Sequence, residues 1–461
     1  MTDPPFGFGM PRDPDDGSGS SGSSPAGGPL GPLGDPQQLA EALRQFADLM
    51  SWQGGPVNWD LAKNTARQTV AAKGDPSVLS HERAKVTEAL RLADLWLGDA
   101  TEFPSGIVTV AAWSRSEWVE ATLPVWSKLC DPIASRAVEA MSGMISGDPT
   151  ELAADLPPEM RSAMTAMGGL GALGGLGDMM RRIGGMMVGG QTGAAVGALA
   201  EEVVSSTDVG LPLGPAGTAA LLPAGVAAFG SGLEVSEDEI RLFLALREAA
   251  HHRLFAHVPW LRARLLGAVE DYARGITVDA EALREAMPQI DPTNPEALNE
   301  ALSSGAALFT PEDTQEQKIA LARLETMLAL VEGWVATVVD TAAGNRLPQA
   351  GALAEAIRRR RAAGGPAERT FATLVGLELR PRRLREAAAI WAGLTAERGM
   401  SGRDAVWAHP DLLPTAEDFD DPDGFVRGRE EFDISDFEEQ ARGPGEPDAA
   451  GEAGEDEPEG S

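Results

Sequence analysis

Apolar residues recur every three or four positions along most of the chain, the spacing that puts them on one face of an α-helix. Two clear stripes are Leu39, Leu43, Phe46 and Leu49, and Leu90, Leu92, Leu95, Trp96 and Leu97. Runs of β-branched residues, which are typical of strands, are rare, and residues 106–110 (GIVTV) are the best strand candidate. The sequence therefore predicts a mainly α, multi-helix domain with little strand.

Two long helices can be delimited from their capping residues. Ser236 followed by Glu239 is a capping-box pattern, which predicts the start of a helix carrying LREAAHHRLFAHVPW at residues 246–260. This stretch holds three of the five histidines of the chain. Thr310, followed by proline, predicts the start of a second long helix that runs to about residue 343.

The two ends of the chain differ in composition from the middle. Residues 1–34 are dominated by Gly, Ser, Pro and Asp and cannot bury enough apolar area to offset chain entropy. Residues 416–461 hold 18 acidic and 3 basic residues, as a solvated acidic tail does. We therefore predict one helical domain over residues 35–415 between two disordered tails. Four apolar residues could let part of the acidic tail dock: Phe425, Phe432, Ile434 and Phe437.

Charge and cysteine content restrict the partners and the compartment. Lys and Arg total 38 against 70 Asp and Glu, and a net charge of −32 has the wrong sign for binding nucleic acid or anionic membranes. Cys130 is the single cysteine, so no disulfide can form within the chain. The N-terminus lacks the basic start and apolar run of a secretory signal. These features predict a cytoplasmic protein.

One stretch, residues 163–200, is apolar and rich in Gly, Ala and Met, as in membrane helices that pack through small residues. Asp178, Arg181 and Arg182 interrupt it, so no apolar run of about 20 residues remains. We predict a flexible loop that leads into a tightly packed helix, and no membrane span.

A run of arginines stands out within this acidic chain. Residues 358–361 are all arginine, and five more follow: Arg369, Arg380, Arg382, Arg383 and Arg385. The run predicts either a solvated helix face or an internal dock for the acidic tail.

Ionisable residues fall on the buried face of the helix that contains LREAAHHRLFAHVPW. At about 100° per residue, Arg247 and His251 lie near the centre of its apolar stripe. Glu248 lies at the edge of the stripe, and His252 and His257 point to either side. Because a buried guanidinium cannot lose its proton, it requires a partner. The apolar stripe consists of Ile240, Phe243, Leu244, Leu254, Phe255 and Val258.

The second long helix offers that partner. Glu325 and Glu332 lie seven residues apart on the side of its apolar residues. If the two helices pack together, either glutamate could pair with Arg247 or complete a metal site with His251.

Several separated stretches resemble one known family. They are LREAAHH at residues 246–252, LVEGWVATVVD at 330–340, PVNWDLA at 56–62, QTGAAVGALA at 191–200, and LRPRRLREAAAIWAGL with DAVWAHPDLLPT in the C-terminal third. Together they resemble the zincin-like metallopeptidase family of actinobacteria, whose members are also labelled hydrolases or zinc-dependent metalloproteases. The resemblance covers about residues 37–415.

The resemblance implies a zinc-dependent hydrolase that acts on a peptide or protein. In an HExxH site, two histidines four residues apart bind zinc, and the glutamate after the first activates the metal-bound water. Position by position, Glu248 would be the general base, His251 the second zinc ligand and Glu332 a third ligand. Arg247 stands where the first ligand is expected.

Arg247 leaves three interpretations open, because a guanidinium has no lone pair for zinc. It could pair with Glu332 or Glu248 in an ion-paired core cluster. His251, Glu248 and Glu332 could instead hold a metal weakly. In an active hydrolase, Glu248 would activate water and Arg247 would stabilise developing negative charge. The functional hypothesis is a zincin-like hydrolase with a degenerate zinc motif, and the alternative is a non-catalytic scaffold or protein-interaction module that retains the fold.

Overall fold

A computed structural model describes residue 52 and residues 55–145, 170–274, 314–362, 370, 374 and 383–428. The chain divides into two units, Met1–Gln53 and Gly54–Ser461, and the elements below all lie in the second. The predicted N-terminal tail and the acidic residues from 429 onward lie outside the described residues.

Helices dominate the described part of the second unit, which confirms the predicted fold class. The helices are α1 (Trp59–Lys73), α2 (Ser80–Leu97), α3 (Arg115–Ile145), α4 (Leu170–Glu202), α5 (Pro223–Gly230), α6 (Glu237–His257), α7 (Pro259–Arg274), α8 (Gln315–Ala343), α9 (Ala350–Ala362), α10 (Leu384–Ala405) and α11 (Pro422–Arg427). The strands are β1 (Thr109–Ala112) and β2 (Thr218–Leu221). Two 3₁₀ turns, Val406–Ala408 and Pro410–Leu412, follow α10.

Helix α6, which carries the LREAAHH stretch, is buried between α2, β2, α5 and α8. It begins where the sequence predicts, because the Ser236 hydroxyl accepts a hydrogen bond from the Glu239 backbone N–H at 3.3 Å. Every residue from 243 to 254 is buried. Because this part of α6 has no solvent face, its charged side chains depend on partners from neighbouring elements.

Helix α8 packs against α6, so the condition for pairing their ionisable residues is met, and α8 also packs against α7 and α10. Thr314 is its N-cap and forms a capping box with Gln317. The predicted start at Thr310 lies outside the described residues. The contact of α8 with α10 is close, because a Cβ on Gly333 would lie 2.8 Å from the Ala387 Cβ.

The two strands form a parallel sheet in which Thr109 pairs with Thr218 and Ala112 pairs with Leu221. The predicted strand at residues 106–110 is therefore real but begins later. Gly106 precedes it and lies against α6, where a Cβ would stand 2.1 Å from the backbone oxygen of His252. The sheet is thereby held beside the middle of α6.

Glycines allow α4 to pack closely on α1. A Cβ on Gly189 would lie 2.5 Å from the Asn58 backbone oxygen, and one on Gly193 would lie 2.3 Å from that of Ala62. The small-residue stretch is thus helical from Leu170 onward, and the predicted flexible loop does not extend past that residue. Among the described residues, no helix is long and apolar enough to cross a membrane.

The folded chain continues past the predicted domain boundary at residue 415. Phe419 and Val426 are buried against the core. Arg383 donates to the Asp420 carboxylate at 2.6 Å, and its guanidinium lies 5.4 Å from the centre of the Phe419 ring. The start of the acidic segment therefore docks on one arginine of the basic run, and Phe425 also packs against the core.

Candidate functional site

Glu332 is the centre of a buried cluster between α6 and α8. Nη2 of Arg247 lies 2.5 Å from Oε2 of Glu332, and Nε2 of His251 lies 3.0 Å from Oε1. Arg247 and His251 are one helical turn apart, so both reach the same carboxylate. Of the two acids considered in the sequence, Glu332 makes these contacts. The pairing of Arg247 with Glu332, one of the possibilities that the sequence left open, is the one that the structure contains.

Arg361 of α9 also binds Glu332, and the sequence did not predict it. Its Nη2 lies 2.7 Å from Oε1 of Glu332 and donates to the Asp208 backbone oxygen at 2.9 Å. Arg360 pairs with the Asp208 carboxylate at 3.0 Å. The solvated face predicted for the arginine run is therefore wrong for these two residues, which pair with the buried Glu332 and the half-buried Asp208.

The charges around Glu332 keep it ionised. Burial alone would raise the pKa of its carboxyl, but Arg361, Arg247 and His251 outweigh burial and hold it well below its usual value. Burial lowers the pKa of Arg247, and Glu332 opposes that effect. Gly210 completes the enclosure: its φ is +80°, and a Cβ there would lie 3.1 Å from Oε1 of Glu332.

His251 faces oxygen acceptors on both sides of its ring. Nδ1 lies 2.8 Å from the backbone oxygen of Arg247, and Nε2 lies 3.0 Å from the Glu332 carboxylate. A carbonyl oxygen and an ionised carboxylate can only accept hydrogen bonds. Each ring nitrogen therefore faces a group that accepts hydrogen bonds.

Glu248 belongs to a second cluster, with the loop between α4 and β2. Its Oε1 accepts hydrogen bonds from the Ser206 hydroxyl, from the Ala220 backbone N–H at 3.0 Å and from Nε2 of His252 at 3.2 Å. Its Oε2 accepts from the Thr207 hydroxyl at 2.5 Å and the Thr207 backbone N–H at 3.2 Å. The carboxylate thus fastens α6 to this loop and to β2.

These contacts change the chemistry available to Glu248. Burial would raise its pKa, but hydrogen bonding and charge from His252, with hydrogen bonds from Ser206 and Thr207, lower it to about 2. A carboxylate offers about four lone-pair positions, and five donors already surround this one. Glu248 is therefore a weak base without a free acceptor position for water.

His252 and the two hydroxyl residues were missed by the sequence analysis. The helical wheel put His252 off to the side of the stripe, yet it is buried and bonded to Glu248, because α6 is covered on that side as well. His257 is exposed and stacks on Phe103, away from both clusters. Ser206 and Thr207 lie in a loop without a periodic pattern, so no sequence signal indicated them.

The residues do not fit a zinc site. His251 and Glu332 do meet, but Glu248 is bonded elsewhere and Arg247 cannot be a ligand. In the part of the chain that the structure describes, no three His, Cys, Asp or Glu residues form a group that could hold a metal. Arg247 and Arg361 also hold two positive charges beside Glu332, the carboxylate that would have to bind zinc.

Comparisons with known proteins agree with this fold. No curated protein matches the chain in sequence. A crystal structure from Chloroflexus aurantiacus, described as a "putative hydrolase with a novel fold", superposes with a TM-score of 0.54 at 18% identity, covering 80% of this chain and 98% of the other. At that identity, the likeness concerns the fold alone. The family model for zincin-like metallopeptidases matches residues 57–426, so the chain belongs to the zincin-like metallopeptidase family.

Proposed function

We propose that this protein is a zincin-like metallopeptidase family member in which an ion-pair centre replaces the metal, and that it binds a peptide or protein without zinc-dependent hydrolysis. The observation that carries the proposal is the contact of Glu332 with Arg247, Arg361 and His251. Each partner is a cation or a hydrogen-bond donor, so the carboxylate is already neutralised where zinc would need it.

The first support is electrostatic. A zinc ion beside Glu332 would stand against two fixed guanidiniums, and both are held in place by hydrogen bonds. Like charges at a few ångströms in a buried site repel strongly, because little solvent screens them. To bind zinc through Nε2, His251 would also have to give up its contact with Glu332.

The second support concerns the general base. A catalytic base works best when its pKa lies near the working pH. The pKa of Glu248 is about 2, and its two oxygens hold a loop and a strand in place. We therefore assign Glu248 a structural role.

Metal analysis of the full-length protein tests the proposal. After incubation with equimolar zinc and removal of free metal, we expect zinc far below stoichiometric by mass spectrometry. The matched variant Arg247→His with Arg361→Met restores a second histidine and removes the opposing cation, so it should gain zinc. Adding His251→Ala to that variant should abolish the gain. Stoichiometric zinc in the unaltered protein, lost in His251→Ala, would overturn the proposal.

Hydrolysis of a peptide or amide bond is the second candidate, and membership of a metallopeptidase family favours it. A screen of peptide substrates with and without added zinc separates the two. We expect no cleavage above background in either condition. Zinc-dependent cleavage that disappears in Glu248→Gln, in samples whose circular dichroism shows that the variant is folded, would establish the enzyme and refute the binding protein.

We further propose that the protein works in the reducing environment of the cytoplasm. Cys130, the single cysteine, is buried, and burial, with a smaller effect of Asp131, raises the pKa of its thiol to about 12. Such a thiol is unreactive toward disulfide exchange. Protein labelled with a thiol reagent in the folded and unfolded states should react in the unfolded state alone.

A further inference from the structure

We propose that Arg247 and Arg361 form a binding site for a carboxylate, and that its ligand is the C-terminal carboxylate of a peptide. The inference rests on the proposed function, since it assigns the ligand class of a centre that works without zinc. Three observations lead to it: the balance of charge, the unused hydrogen-bond donors and the access to both guanidiniums.

The cluster around Glu332 carries more positive than negative charge. Among the described residues, Arg247 and Arg361 both pair with Glu332, and Arg360 pairs with Asp208, whose backbone oxygen accepts a hydrogen bond from Arg361. Arg247 is buried and Arg361 is half-buried, and an excess of positive charge in such surroundings is costly unless an anion compensates it. The cluster therefore favours a negatively charged ligand.

Both guanidiniums keep donors that no described residue uses. Arg247 bonds Glu332 through Nη2, and Arg361 bonds Glu332 and the Asp208 backbone through its own Nη2. Nε and Nη1 of each residue make no hydrogen bond within the described ranges. A guanidinium has five N–H donors in a planar fork, so each side chain can take a second acceptor without releasing Glu332.

Solvent reaches both arginines more than it reaches Glu332 and His251. The side chains of Glu332 and His251 are 3% and 2% exposed, whereas those of Arg247 and Arg361 are 11% and 17% exposed. A ligand can therefore approach the guanidiniums but not the acid between them. A planar carboxylate matches the fork of a guanidinium, which is the reason for preferring it to a spherical anion.

Calorimetric titration of the full-length protein tests the site, with N-acetyl-Ala-Ala and its C-terminal amide as probes. The acid should bind about tenfold more tightly than the amide, because the amide lacks the charge that the guanidiniums recognise. Acetate is the third probe. Binding of acetate as tight as that of the peptide acid would overturn the assignment of a peptide ligand.

Two variants locate the binding. Arg361→Gln should weaken binding of the acid about tenfold, whereas Arg346→Gln, which removes an arginine paired with Asp99 at the surface, should leave it unchanged. Absence of acid binding, equal binding of acid and amide, or an unchanged affinity in Arg361→Gln would each overturn the inference. The zinc content measured on the same samples tests the proposed function separately, so a failure of one is distinguishable from a failure of the other.

Discussion

Nη2 of Arg361 lies 2.7 Å from Oε1 of Glu332, although the two residues belong to different helices. The contact ties α9 to the buried face of α8, where Arg247 and His251 of α6 already meet the same carboxylate. Three helices therefore share one acid. A substitution of Glu332 therefore changes the contacts of all three helices.

Removing the charge of Glu332 should destabilise the protein strongly. Glu332→Gln leaves the buried Arg247 and the half-buried Arg361 without their shared counter-ion, and we expect a loss of about 3–5 kcal/mol in the free energy of unfolding, measured with urea. Glu355→Gln is the matched control, because Glu355 pairs with Arg358 and Arg359 at the surface of α9. The control should be nearly neutral. Equal effects of the two substitutions would mean that the buried cluster contributes no more to stability than a surface ion pair does.

Stability should fall in acid through Glu248 and Glu332. The pKa of each is lower in the folded protein than the ordinary value of 4.5, so the unfolded chain binds more protons at low pH. Their contribution is present above the unfolded pKa and is lost as pH falls toward the folded one, which is about 2 for Glu248. Urea unfolding at several pH values between about pH 5 and about pH 3 measures the slope of the free energy of unfolding against pH.

Glu248→Gln should make that slope shallower, because the amide does not titrate. Glu88→Gln, at an exposed position on α2, should leave the slope unchanged. If the Glu248 variant followed the same pH dependence as the unaltered protein, the low pKa of this carboxyl would be refuted.

A side chain at Gly210 should disturb the Glu332 cluster. Gly210→Ala forces a non-glycine residue to a φ of +80° and puts its Cβ 3.1 Å from Oε1 of Glu332. Gly232→Ala requires nearly the same backbone, with a φ of +79°, but meets no atom within 4 Å. Both should lose about 1–2 kcal/mol from the backbone. Gly210→Ala should lose about 1 kcal/mol more, because Arg361 and His251 prevent the carboxylate from moving. If thermal unfolding gave the two variants equal losses in the free energy of unfolding, the Glu332 carboxylate would be able to move away from the new Cβ.

The packing of α4 on α1 should depend on Gly193. Gly193→Ala puts a Cβ 2.3 Å from the Ala62 backbone oxygen, so we expect a loss of about 1–3 kcal/mol in urea unfolding. Gly190→Ala lies on the same helix with nothing within 4 Å of the new Cβ, and should be neutral or stabilising by up to about 1 kcal/mol. A neutral Gly193→Ala would mean that the two helices separate without cost.

The sequence predicted the helices and one of the buried pairs, because both follow from periodicity. A stripe of apolar residues defines which side of α6 faces the core, and a charge on that side needs a partner. Arg247 and Glu332 could be paired in this way, since each lies on the buried face of a long helix. The parallel pairing of residues 109–112 with a strand more than a hundred residues later left no local signal.

Other residues of the site could not be predicted from the periodicity of the sequence. Arg361 is the last of four consecutive arginines, and a run of identical residues gives no helical phase that would separate inward from outward positions. Helix α6 is covered by other elements on almost every side, so the apolar stripe did not indicate that His252 is buried. Ser206 and Thr207 reach Glu248 from a loop, where side-chain direction depends on tertiary contacts.

The loop between α4 and β2 gains its importance from consecutive residues that bond to different helices. Ser206 and Thr207 hold Glu248 of α6, Asp208 holds Arg360 of α9, and Gly210 lies against Glu332 of α8. A local opening of this loop would therefore break the contacts of several charged side chains at once. Amide hydrogens at Thr207 and Gly210, both in hydrogen bonds, should exchange with solvent only when the whole domain opens, which makes an irregular segment one of the slowest-exchanging parts of the molecule.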